Sequence, residues 1–254
     1  ARSTASVPYT SGLPQTPQLS LDFNLPRSSS MLLFPSLYSP PFGDTIYRMA
    51  AFEIMVKGYA RLLNRTSYVA SPNTVLITDR GKRIIVDPGA NAGRLKRALD
   101  RRGLKPSDID LIFLTHFHPD HILNIRLFPD TLLCDGFSIY RGDRAEPHPR
   151  HYLLDTDIEI VRTPGHSAGH SCLVFDADRG RCASAGDVFA WFDDDRPAFD
   201  LRSLISLHDP FAIDMAALKK TRRRLLEMAD WIIPGHGRPF LSPIRQLPGR
   251  KPGT

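Results

Sequence analysis

The sequence predicts a mixed α/β protein in which two β-sheets are flanked by helices. Three observations carry that prediction: a polar turn between two apolar runs, an amphipathic helix leading into a strongly apolar strand, and a return of the same alternation after residue 157. With 254 residues and an apolar fraction of 42%, the chain can bury a core that needs no disulfide to hold it.

In chain order, residues 1–48 come first, with seven prolines, nine serines, few charges and no sustained period. Such a composition is expected to form a disordered N-terminal extension ahead of a folded domain over 49–254. Arg2, Arg27 and Arg48 leave room for a targeting segment, although no amphipathic helix carries them, and Met49 stands where translation could begin.

Phe52 to Gly58 then reads as an apolar strand. Thr74 to Thr78 and Arg83 to Val86 flank Asp79-Arg80-Gly81-Lys82, the pattern of a β-hairpin. Asn91 can cap a helix that places Leu95, Ala98 and Leu99 on one face and that Gly103 ends. Ile109 to Leu114 is a continuous apolar run of strand length. Further strands are predicted at Ile158 to Arg162, Ser171 to Phe175 and Arg181 to Ser184, then a helix from Met215 to Met228 and a last strand at Trp231 to Ile233. Strands of this kind need helices or a second sheet over both faces.

Composition narrows the classes of function. No run approaches the roughly 18 apolar residues of a membrane span, so no membrane partner is expected. Cys134, Cys172 and Cys182 are odd in number and show no paired spacing, which suits buried thiols in a reducing, cytoplasmic setting. A net charge of +6 suits an anionic substrate and keeps RNA among the candidates.

Directly after the apolar strand comes Thr115-His116-Phe117-His118-Pro119-Asp120-His121, three imidazoles and a carboxylate within six residues. Strand ends that feed loops are where ligands are presented, and a chance occurrence of this pattern is on the order of one in a thousand. Thr163-Pro164-Gly165-His166, Ala185-Gly186-Asp187 and Pro234-Gly235-His236-Gly237 each set one further donor beside a glycine. Glycine lets the backbone turn sharply, as several loops must if they converge on one small ion.

These segments, in this order, resemble the signature of the metallo-β-lactamase superfamily from Val75 to Gly237. The resemblance implies a four-layer αββα sandwich with the metal site at one edge, so that 49–254 is a metallo-β-lactamase domain. It implies His116, His118 and His166 on one metal, Asp120, His121 and His236 on the other, and Asp187 bridging both. Two zinc ions per chain suit these donors, and iron or manganese tolerate the same set. Asp87, in Ile85-Val86-Asp87-Pro88-Gly89, matches the family's aspartate beneath the site, expected to orient a liganding histidine or its loop. His170, four residues after His166, reads either as support of that kind or as a contact to a ligand or substrate oxyanion.

The resemblance also implies a hydrolase. Two cations sharing one solvent molecule lower its pKa toward neutrality and hold a bridging hydroxide ready to attack, with Asp120 as the catalytic residue that orients it. An ester, thioester, lactone, amide or phosphodiester could serve as substrate. The superfamily's β-lactamases carry Cys or Ser where Asp187 stands, so the carboxylate points to the glyoxalase II-like, lactonase and nuclease branches, proposed endoribonucleases included, with β-lactam turnover as a side activity. Two rival readings stay open: an iron-dependent oxidoreductase of the same fold, like the persulfide dioxygenases, and a non-catalytic metal-binding scaffold. The oligomeric state is also open, a homodimer included.

Outside the motifs, Lys219-Lys220-Thr221-Arg222-Arg223-Arg224 reads as the solvated face of an amphipathic helix or, with Arg238, Arg245, Arg250 and Lys251, as a phosphate-binding patch. The loop from Arg144 to His151, with His148, is expected either to overhang the site or to be plain surface, and His208 reads as structural.

Overall fold

In the computed structural model, which describes residues 49–148, 150–193 and 195–244, the two sheets lie within one compact unit, Ile46–Thr254. The expectations for 1–48 and for Arg245, Arg250 and Lys251 lie outside the described residues.

The first half begins with strands β1 (Ala51–Val56), β2 (Tyr59–Leu62), β3 (Tyr68–Ser71), β4 (Thr74–Asp79) and β5 (Lys82–Val86), then helix α1 (Ala92–Asp100). Strand β6 (Leu111–Phe113) leads into a single helical turn, α2 (Pro119–Ile122), followed by β7 (Leu132–Cys134), β8 (Ser138–Arg141) and β9 (Arg144–Pro147). The β4–β5 hairpin turns at Arg80 and Gly81, both with positive φ, as the two-residue turn that matches strand twist requires. Asn91 caps α1 by accepting the Arg94 N–H at 3.0 Å. Strand order in the first sheet is β1-β4-β5-β6-β7-β8-β9, and β5, β6 and β7 run parallel.

The second half supplies β10 (Glu159–Arg162), β11 (Ser171–Ala177), β12 (Gly180–Gly186), helices α3 (Leu201–Ser206) and α4 (Met215–Met228), β13 (Trp231–Pro234) and β14 (Phe240–Leu241). They form a five-stranded sheet in the order β10-β11-β12-β13-β14. β2 and β3 pair only with each other among the described residues.

Alternation of side chains along each strand distributes the core. Val75, Ile77, Ile84, Val86 and Phe113 of the first sheet meet Leu173, Phe175 and Ile233 of the second. The alternate residues Leu76, Ile85 and Ile112 pack on Leu95, Ala98 and Leu99 of α1, while Val174, Ala183 and Ile232 pack on Leu218, Leu225 and Leu226 of α4. Helix, sheet, sheet, helix is the αββα layering expected from the sequence. Because both faces of each sheet are covered, the central strands read as unbroken apolar runs.

Two expectations need correction. The segment after Ser138 carries a hairpin rather than a loop: Arg144–Pro147 is an edge strand of the first sheet, and neither His148 nor His151 lines the cavity beside the histidine cluster. Arg222, read as part of a solvated face, is 1% exposed, whereas Lys219, Lys220, Arg223 and Arg224 do face outward.

Candidate metal centre

Four strands deliver the candidate donors to one edge of the sandwich. β6 runs into His116, His118, Asp120 and His121; β10 into His166; β12 into Asp187; β13 into His236. β12 and β13 are parallel, and β10 runs in the direction of β12 through the antiparallel β11, so their C-terminal ends share an edge. Pro119 opens α2 at its first position, where no N–H is needed, and the turn brings Asp120 and His121 out of line with His118.

Donor atoms fall into two groups, each within 4.8 Å of one another: His116, His118, His166 and Asp187, and Asp120, His121 and His236. Asp187 lies between them. Its Oδ2 is 3.5 Å from His166 Nε2 and 3.9 Å from His116 Nε2, whereas its Oδ1 is 3.4 Å from His121 Nε2 and 3.6 Å from His236 Nε2. Asp120 Oδ2 stands 3.1 Å from His236 Nε2. All seven side chains that the motifs single out are therefore brought together.

The rings are held from behind. Asp87 accepts from the Thr115 N–H at 2.8 Å, the Thr115 hydroxyl at 2.7 Å and His121 Nδ1 at 2.8 Å. A carboxylate only accepts, so His121 carries a proton on Nδ1 and turns Nε2 to the centre, where a cation would take the place of any proton on it. Thr115 has spent its own proton on Asp87, so at 3.0 Å its oxygen accepts from His116 Nδ1. Asp209 accepts from His166 Nδ1 at 2.7 Å, and the Tyr59 carbonyl from His236 Nδ1 at 3.0 Å. His170 is fully buried and stays behind the cluster. Its Nε2 accepts the Asp187 N–H at 3.2 Å, its Nδ1 donates to Thr163 at 2.8 Å, and burial pushes its pKa down to about 3, so it is a neutral brace for Asp187.

Two glycines make the convergence feasible. A Cβ on Gly235 would sit 1.9 Å from Asp187 Oδ1, and one on Gly186, whose φ is +49°, would meet Thr115 Oγ1 at 2.6 Å and His170 Nε2 at 2.9 Å.

The residues fit a pair of metal cations. His116 Nε2, His121 Nε2 and Asp187 Oδ1 are buried with no hydrogen-bond partner, which is rare unless something else satisfies such atoms. Burial would raise the Asp187 pKa, yet His121 and His236 hold it well below the carboxylate range. Burial likewise opposes charge on His121, yet Asp187 and Asp87 lift its pKa well above the usual value. A pocket that draws positive charge onto a sealed imidazole is one that a cation would fill, while burial keeps His116 and His118 neutral and able to donate lone pairs.

Beside the cluster opens a cavity of about 180 Å³, walled by Tyr68, Trp191, Phe192 and Phe211 and reaching His118, Asp120, Asp187 and His236. His208, read from the sequence as structural, is exposed on this wall. Sequence reasoning also missed Asp209 and the Tyr59 carbonyl. Asp209 lies 43 residues from its partner and outside every motif, and a backbone carbonyl leaves no trace in residue type. Thr115, inside the quoted motif, was the one supporting residue that sequence proximity could have revealed.

The family model of the metallo-beta-lactamase superfamily matches residues 68–154. Residues 68–154 thus carry the superfamily's sequence pattern. Among relatives, the chain is 34% identical over 169 residues to metallo-beta-lactamase domain-containing protein 1 of Mus musculus, covering 62% of this chain and 60% of that protein. It is 32% identical over 114 residues to hydroxyacylglutathione hydrolase of Xanthomonas axonopodis pv. citri (strain 306), 40% of this chain and 41% of that one. A Thermotoga maritima crystal structure assigned to the metallo-beta-lactamases superposes with a TM-score of 0.57 at 19% identity, over 76% of this chain and all of that one, which shows the shared fold. The chain spans about three-fifths of the length of the mouse relative. Among the described residues no helix is long and apolar enough to cross a membrane.

Proposed function

We propose that this protein is a dinuclear metal hydrolase, with zinc at both positions, that cleaves a small ester, thioester, lactone or amide. The observation that carries this is Asp187, whose two oxygens each face a separate imidazole group. His116, His118 and His166 would hold one ion, Asp120, His121 and His236 the other, and Asp187 would join them. When bound, such a pair lowers the pKa of a shared water and polarises the scissile carbonyl.

The protein's own residues supply the rest. Asp120 lies on the cavity wall and, besides its place in the second group, can accept a proton from an attacking water. Tyr68, Trp191, Phe192 and Phe211 give the cavity an apolar wall beside the cluster, where a polar interaction is screened less than in open water. Asp87, Thr115, Asp209 and the Tyr59 carbonyl keep the rings in one tautomer, so the donors need no rearrangement during turnover. The similarity to a hydroxyacylglutathione hydrolase supports an acyl substrate.

The test is to purify the full chain, quantify its metal, and screen S-lactoylglutathione, a lactone, a chromogenic cephalosporin, bis-p-nitrophenyl phosphate and single-stranded RNA with and without chelator. About two zincs per chain and one chelator-sensitive acyl hydrolysis, lost at least about 100-fold in D120N, are expected. Iron with oxygen uptake and no hydrolysis would overturn the proposal.

A further inference from the structure

Arg222 is the one lysine or arginine among the described residues that line the cavity, and it is 1% exposed. A buried guanidinium must satisfy its donors. Nε donates to the Val188 carbonyl at 2.8 Å, and Nη1 donates to the carbonyls of Leu207 and, at 3.5 Å, Ile205. These bonds cap the end of α3 and tie it to α4 and to the loop after Asp187. Nη2 bonds to no described residue, and it is not among the sealed, unpartnered buried atoms. The two N–H donors not used by the fold are thus both on Nη2, the guanidinium nitrogen left over for the cavity that Arg222 lines. Burial draws the Arg222 pKa down to about 10, so the group is still cationic at neutral pH.

We infer that Arg222 determines specificity: its free Nη2 takes a carboxylate of the substrate, so the physiological substrate is an acyl compound with a carboxylate besides the bond that is cleaved. This rests on the hydrolase reading above. A carboxylate fits better than a phosphate. Asp195 and Asp209, which are outside the two donor groups, share the lining with Arg222, and a dianion would add repulsion that one guanidinium with a single free nitrogen does not offset. The bonds to α3 pre-orient the guanidinium, which lowers the entropy lost when a ligand binds.

The experiment uses the full metal-loaded chain and two esters of equal length, mono-4-nitrophenyl adipate and 4-nitrophenyl hexanoate. Wild type is expected to favour the adipate at least tenfold in kcat/KM, with the difference in KM. In R222Q that ratio falls toward one. In R222K it falls at least threefold, because a single ammonium cannot cap α3 and also reach the carboxylate. No preference in wild type, or an unchanged ratio in R222K at equal metal content, overturns the assignment even if R222Q does not fold.

If neither ester is turned over, the hydrolase reading fails separately, and binding decides this one. Quenching of Trp191, which lines the same cavity, is then followed with adipic acid monoamide against adipamide. At least tenfold tighter binding of the monoamide by wild type, lost in R222K, supports the assignment. Equal binding of the two, or competition by inorganic phosphate as strong as by the monoamide, overturns it.

Discussion

At Asp209 a single residue far from every motif governs one donor of the centre. Its carboxylate holds His166 Nδ1 at 2.7 Å and so turns Nε2 toward the centre, where it stands 3.0 Å from His118 Nδ1. D209A removes that hold while leaving the backbone in place, and metal affinity is expected to fall about 10–100-fold, as read by titration against a competing chelator. Unchanged affinity would show that packing alone orients the ring. Gly235 tests the centre from the opposite side. G235A places a methyl where Asp187 Oδ1 stands, 1.9 Å away, so G235A is expected to fold with fewer than two metals per chain, measured by elemental analysis.

At the scale of elements, the strand ends are fastened to one another by side chains outside the motifs. Asn73, between β3 and β4, donates to the carbonyls of Pro234 and Gly237 at 2.8 and 2.9 Å and accepts the Gly58 N–H at 2.8 Å. These bonds clamp the loop that carries His236. N73A leaves those partners unpaired, at about 1–3 kcal/mol for each one kept from water, so a loss of about 3 kcal/mol in urea unfolding is expected. The loop after Arg162 depends on α4 in the same way, since Thr221 donates to the Pro164 carbonyl at 2.8 Å. α4 therefore has two duties, covering the second sheet with Leu218, Leu225 and Leu226 and positioning the His166 loop.

Across the whole molecule, the centre joins loops from both sheets, so a metal bound there would act as a clasp between the halves of the sandwich. Ligands that bind only the folded state add stability through their free concentration, about 4 kcal/mol at a thousand times Kd. For a domain of this size that amounts to roughly 10 °C in Tm, so chelator is expected to lower the melting temperature by about that much in a thermal scan. The cysteines report on the core instead. Cys134, Cys172 and Cys182 are buried and free, and burial pushes each thiol up to about 12. None should react with a thiol reagent at pH 8 until the chain unfolds, when all three should; fast labelling of the native protein would contradict this packing.

Read alone, the sequence already determined the longer strands of both sheets, the two longer helices and the seven His and Asp side chains that the fold brings together. Apolar periods, a turn with glycine, a capping Asn91 and His–Asp motifs at strand ends are local signals within a few residues. The short strands Leu132–Cys134, Ser138–Arg141 and Arg144–Pro147 were not legible, because three or four residues give too little period to tell strand from loop. Only the tertiary structure decided that Asp209 and the Tyr59 carbonyl hold the rings, that His208 faces the cavity, and that Arg222 is buried beside it rather than solvated. Arg222 stands four residues after Leu218 and three before Leu225, on the apolar stripe of α4, but a guanidinium there reads as solvated as long as nothing local offers it partners. Its partners are carbonyls from Val188 and Leu207, and those reach it only once α3, α4 and the loop after β12 have packed together.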